Sequence, residues 1–166
     1  MNNVLIPTDY QYDTLRAMEL TRWASGHVPV HVILLSLSPV PDSITGYLFV
    51  SSGKDAYSQR RKHLMKEWET GQMLLHHSVQ LTEHHQYGAS ASVIQQIVER
   101  FEVNKIIIPY SFQKSGQLIH REALNAFRKI DCKITWMPQL NDTVSFYDDD
   151  KYRLALNTNE ELVTEK

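Results

Sequence analysis

The sequence has little of what marks a specialised protein class. Its 166 residues include one cysteine, Cys132, which excludes an intramolecular disulfide and fits a reducing compartment. No apolar run approaches the roughly 20 residues of a membrane-spanning helix. The N-terminus enters a strand pattern at once, without the basic and apolar regions of a secretory leader. A formal net charge of −2 lacks the basic excess of nucleic-acid binders. No Gly-x-Ser-x-Gly elbow and no His-Glu-x-x-His pair occurs. Glycine is scarce, at six residues, and the polar segment Tyr110–Gly116 has one where a phosphate-cradling loop needs several. These absences leave a cytoplasmic α/β domain as the expectation, without membrane or nucleic-acid partner. Hydrophobic content of 42% is ordinary for such a domain, and the length suits one core burying about two-thirds of the unfolded surface.

What is present is a repeated alternation. Val4–Ile6 is a short apolar run closed by Pro7 and reads as a buried strand. Asp13 or Thr14 caps the next helix, whose small-residue face is Ala17, Leu20, Thr21 and Ala24, with Gly26 as its stop. Val30–Leu37 is apolar nearly throughout, as expected of a strand covered on both faces. Residues 38–54 read as a long loop. A long helix follows over 55–76, with Tyr57, Leu64, Trp68 and Leu75 inward. Val79–Tyr87 alternates loosely and reads as an edge strand. A helix after Ser90 turns Val93, Ile94, Ile97, Val98 and Phe101 inward. Lys105–Pro109 is a buried strand, and a helix from about Gly116 buries Ile119, Ala123, Phe127 and Ile130. Lys133–Met137 is the fifth strand. Five strands alternating with four helices predict a doubly wound parallel sheet over residues 1–138, with helices on both faces. Residues 139–166 read as a β-hairpin arm with a charged tip at Asp148–Asp150, then an acidic tail. A lone hairpin is marginal in water, so it should pack on the domain or on a second chain.

The segment Val4-Leu-Ile-Pro-Thr-Asp9, the helix with Leu15, Arg16 and Ala17, residues Gly88–Val98, and Lys105–Gly116 together resemble the universal stress protein family, over roughly residues 3–138. The resemblance implies strand order 3-2-1-4-5, dimerisation through the fifth strand, and stress-related cytoplasmic roles. In ATP-binding members an Asp after the first strand contacts adenine, and a Gly-x2-Gly-x9-Gly-Ser/Thr motif after the fourth strand holds ribose and phosphates. Asp9 matches the first element. In register, the glycine-rich element falls on Pro109, Phe112, Glu122 and Ala123, so the chain resembles a degenerate member that lacks the ATP-binding motif.

Two readings of function follow. The leading one is a non-enzymatic regulatory or interaction protein with a decayed nucleotide site and no cofactor. It would be a homodimer through the fifth strand and the hairpin, open to a protein partner. The alternative is an ATP- or AMP-binding protein with slow hydrolysis, built from Pro7, Thr8 and Asp9 and from Ser111, Lys114, Ser115 and Gly116. For Asp9, a ligand contact competes with a helix-capping role; for the second group, an anion site competes with a polar loop and helix cap. His76 and His77 with His84 and His85 could supply metal ligands, but neighbours on a strand point to opposite faces, so no metal site is assigned. Arg60, Arg61, Lys62, His63 and Lys66 form one basic cluster, a solvated helix face or a surface for an acidic partner that includes the chain's own tail. Gly53-Lys54 lacks the rest of a P-loop. Cys132 precedes an apolar strand and reads as an inert thiol.

Overall fold

The computed structural model of the chain describes residues 2–26, 28–41, 54–73 and 79–139. The expected hairpin arm and acidic tail, most of the long loop, Gly53, His76 and His77 lie outside the described residues.

In chain order the elements are β1 (Asn2–Thr8), α1 (Tyr12–Ser25), β2 (Val30–Ser38), α2 (Lys54–Met73), β3 (Val79–Tyr87), α3 (Ala91–Arg100), β4 (Lys105–Ile108), α4 (Tyr110–Lys114), α5 (Leu118–Phe127) and β5 (Lys133–Trp136). The strands form one sheet in the order β3-β2-β1-β4-β5, with every pairing parallel. Alternating side chains divide its core in two. Val4, Ile6, Val30, Val32, Leu34 and Ile107 pack under α1 and α2 with Leu15, Met18, Leu64 and Trp68. Leu5, Ile33, Leu35, Leu37, Ile106 and Ile108 pack under α3 and α5 with Ile94, Ile97, Ala123 and Phe127. Each such aliphatic side chain contributes about 1.5–3 kcal/mol by leaving water. This two-sided burial is why β2 and β4 read as continuous apolar runs, while the edge strand β3 is only half-buried.

Several local expectations need correction. Pro7 does not close β1; it lies inside it, in register with Leu35. The β1–β4 ladder covers only Val4–Lys105 and Leu5–Ile106, so Pro7 sits beyond it, where a missing N–H costs least. Helix α1 begins at Tyr12 after Gln11 and has no side-chain cap, so neither Asp13 nor Thr14 caps it. Its buried face is broader than the small-residue stripe, taking in Thr14, Leu15, Met18 and Arg22, whereas Ala24 is exposed. The polar segment after β4 is itself helical over α4, which makes five helices among the described residues, and the next helix starts at Leu118.

Candidate functional site

Sheet order reverses at β1, with β2 and β3 on one side and β4 and β5 on the other. In open α/β sheets that reversal opens a crevice at the carboxyl ends of the strands. Here β1 runs on to Thr8 after its pairing with β4 has stopped at Leu5, so the crevice lies between Asp9 and Ser111.

The backbone enters it under strain. Tyr10 has a φ of 60°, a left-handed conformation unfavourable for a bulky residue, with a cost of about 1–3 kcal/mol. Burial holds it there. The residue is 5% exposed, its ring meets Tyr57 edge-on at 5.0 Å, and its N–H donates to Thr8 Oγ1 at 2.8 Å. Thr8 Oγ1 also lies 3.0 Å from Thr14 Oγ1, which ties the strand end to the first turn of α1.

Two carboxylates occupy the crevice. Asp9 Oδ1 accepts the Gln11 N–H at 3.3 Å. Asp13, in the first turn of α1, crosses to α4, where the Ser111 N–H donates to its Oδ2 at 2.6 Å. The Ser111 hydroxyl is 2.6 Å from Asp13 Oδ1 and 3.2 Å from Asp9 Oδ1, so one hydrogen is shared between two acceptors. Burial raises the pKa of Asp9 above the ordinary range, and the neighbouring charge of Asp13 adds to the rise. The two acids together supply negative charge where two helices begin, a place that favours anions.

The remaining candidate residues lie apart from that contact. Pro7 is buried within β1. Lys114 is exposed, with Nζ 5.8 Å from the Tyr110 ring centroid. Gly116 is an exposed turn with a φ of +70°, a conformation that glycine adopts without penalty. Ser115 turns inward, its Oγ 2.5 Å from His120 Nδ1 and accepting the Gln117 N–H at 3.3 Å. His120 is 3% exposed and stacks on Phe112 at 4.1 Å. Burial depresses its pKa to about 4. Phe112 is wholly buried. Gln113 bridges the ends of β4 and β5, donating to Ile108 O at 3.0 Å and Met137 O at 2.9 Å.

Sequence reasoning missed Asp13, Gln113 and His120 as parts of this site. A signal existed for His120 alone: it precedes Ala123 by three residues and Phe127 by seven, on the inward stripe of α5. Glu122 and Ala123 lie inside α5, one exposed and one buried. Glu122 therefore does not stand at a helix start.

His84 meets the Phe101 ring, and His85 Nδ1 lies 3.0 Å from Ser36 Oγ. Among the described residues no group of three or more His, Cys, Asp or Glu side chains could hold a metal. Cys132 is half-buried, and burial raises its thiol pKa. No described helix is long and apolar enough to cross a membrane.

No family model matches the sequence, and no curated protein matches it. Solved structures do share its fold. The universal stress protein UspA from Lactobacillus plantarum aligns over 82% of this chain and 97% of its own, at 13% identity and a TM-score of 0.60. The hypothetical protein MJ0577 aligns over 85% and 98%, at 19% identity and a TM-score of 0.59. A protein from the universal stress protein family of Burkholderia pseudomallei aligns over 83% and 96%, at 10% identity and a TM-score of 0.55. The five-stranded sheet in the order 3-2-1-4-5 is thus the fold of universal stress protein structures.

Proposed function

We propose that this chain is a non-enzymatic regulatory or interaction protein of the universal stress protein type, acting in the cytoplasm, whose nucleotide crevice is closed from within. One observation carries the proposal: the Asp13 carboxylate takes both the N–H and the hydroxyl of Ser111, donors that a ligand anion would need. The residues do not fit a polyphosphate. Pro109 and Phe112 are buried where bare backbone is required, and two carboxylates face the space. The test is calorimetric titration of the full chain with ATP and with AMP, with and without magnesium. No heat at millimolar nucleotide is expected. Tight binding that is abolished by Asp9→Ala would replace this reading with that of an adenine-nucleotide binder.

The same reading includes a homodimer through β5 and the C-terminal arm. The apolar alternation of Val144 and Phe146, and of Tyr152, Leu154 and Leu156, supports it. Sedimentation of the full chain against a chain ending at Pro138 checks it; monomeric profiles for both would remove the dimer from the proposal.

A further inference from the structure

The basic cluster on α2 is only partly used within the domain. Arg61 donates to Glu83 on β3 at 2.9 Å, and His63 lies 3.1 Å from Glu67. Arg60, Lys62 and Lys66 are exposed, and among the described residues no carboxylate pairs with them. Lys62 and Lys66 are four residues apart and share the outer face, whereas Arg60 stands on the side of the buried Leu64. The helix dipole does not account for them, because cations favour a helix C-terminus and the last turn of α2 holds none.

The opposite charge is elsewhere in the chain. Residues 140–166 contain seven carboxylates and three cations, so the remainder carries net positive charge. Three of the carboxylates are consecutive, Asp148 to Asp150. The sheet edges at β3 and β5 are separated by four strand spacings, about 19 Å. Nine residues from Gln139 to Asp148 reach about 30 Å when extended, enough to return across the sheet to α2. A linker of that length gives an effective concentration in the ~mM range, which suits a contact of several surface charges.

We propose that Lys62 and Lys66 form the docking surface for the chain's own Asp148–Asp150 segment. The contact is electrostatic, intramolecular and released by salt, and a partner with a denser acidic stretch would compete for the same face.

The experiment is amide NMR of the full chain. Replacing Asp148, Asp149 and Asp150 by Asn shifts the amide signals of residues 58–67, and Lys62→Gln and Lys66→Gln together shift those of residues 146–152, whereas Arg60→Gln alone does not. About 0.5 M salt reproduces both changes, since screening then acts within roughly 4–5 Å. Lys62→Glu with Lys66→Glu, combined with Asp148→Lys and Asp150→Lys, restores the contact. Unmoved α2 signals after the tail is neutralised would overturn the proposal. So would shifts that fade on dilution, because the contact would then lie between copies.

Discussion

Acidification tests the buried histidine most directly. His120 is 3% exposed, lies under the Phe112 ring, and has its Nδ1 against the Ser115 hydroxyl. The Ser115 oxygen, which also accepts the Gln117 N–H, is an uncharged partner for the ring in either tautomer. The site therefore accommodates a neutral imidazole and penalises its protonation. With the folded pKa at about 4 and an unfolded value near 6.5, the contribution to stability is fully present above pH 6.5. It is lost as pH falls from there towards about 4, because the unfolded chain takes up the proton first. At about 1.4 kcal/mol per pH unit, the loss is on the order of 3 kcal/mol, a large share of a small domain's stability. Urea unfolding at intervals between about pH 7.5 and 4.5 measures it, with His120→Asn as the non-titrating comparison. The carboxylates titrate in both proteins and largely cancel in the difference. Wild type should lose about 3 kcal/mol more than the variant over that range. Parallel curves would show that the imidazole is hydrated, and the account of its burial would fail.

Three further outcomes follow from the same contacts. Asp13→Ala removes the acceptor of the Ser111 N–H and hydroxyl and should cost about 2 kcal/mol in urea unfolding; a change below about 0.5 kcal/mol, typical of a surface substitution, would mean that the α1–α4 contact does not hold in solution. Asp9→Asn should stabilise the protein at neutral pH. The raised carboxyl pKa of Asp9 contributes stability below the ordinary Asp value, which is lost as pH rises through the folded one. The variant's advantage should therefore shrink on acidification, and a constant gap across pH would contradict the shift. Phe112→Ala empties a wholly buried position and should cost about 3–5 kcal/mol. A small loss there would show that Phe112 is not a core residue.

The fold was legible because its strands carry their burial in one dimension. Val4–Ile6, Val30–Leu37 and Lys105–Ile108 are apolar enough to identify themselves, and the half-polar Val79–Tyr87 announces an edge. The errors lie where a short segment has to be read without periodicity. Five residues, Tyr110–Lys114, are too few to show a helical pattern, so the polar stretch looked like a loop until it closed into α4. Pro7 looked like a terminator because a sequence does not show where a neighbouring strand stops pairing. Asp9 and Ser111 come into contact, whereas the Thr8 hydroxyl turns to Tyr10 and Thr14. Asp13, which takes both donors of Ser111, reads from the sequence as a residue of its own helix start, since a contact across 98 residues leaves no local trace.

The position of Asp13 also bears on why the missing glycines matter less than their count suggests. A glycine-poor loop could still present backbone donors to an anion, provided that nothing else accepted from them. Ser111 offers its N–H and its hydroxyl, and both go to Asp13. Adding glycine at Phe112 would open space and remove a core side chain, yet it would leave those two donors engaged. On the proposed reading, admitting an anion therefore requires releasing Asp13 as well as rebuilding the loop. A charged ligand would have to displace a carboxylate that is covalently part of the domain and so present at high effective concentration. In the closed crevice proposed above, the Asp13 acceptor therefore weighs as much as the scarcity of glycine.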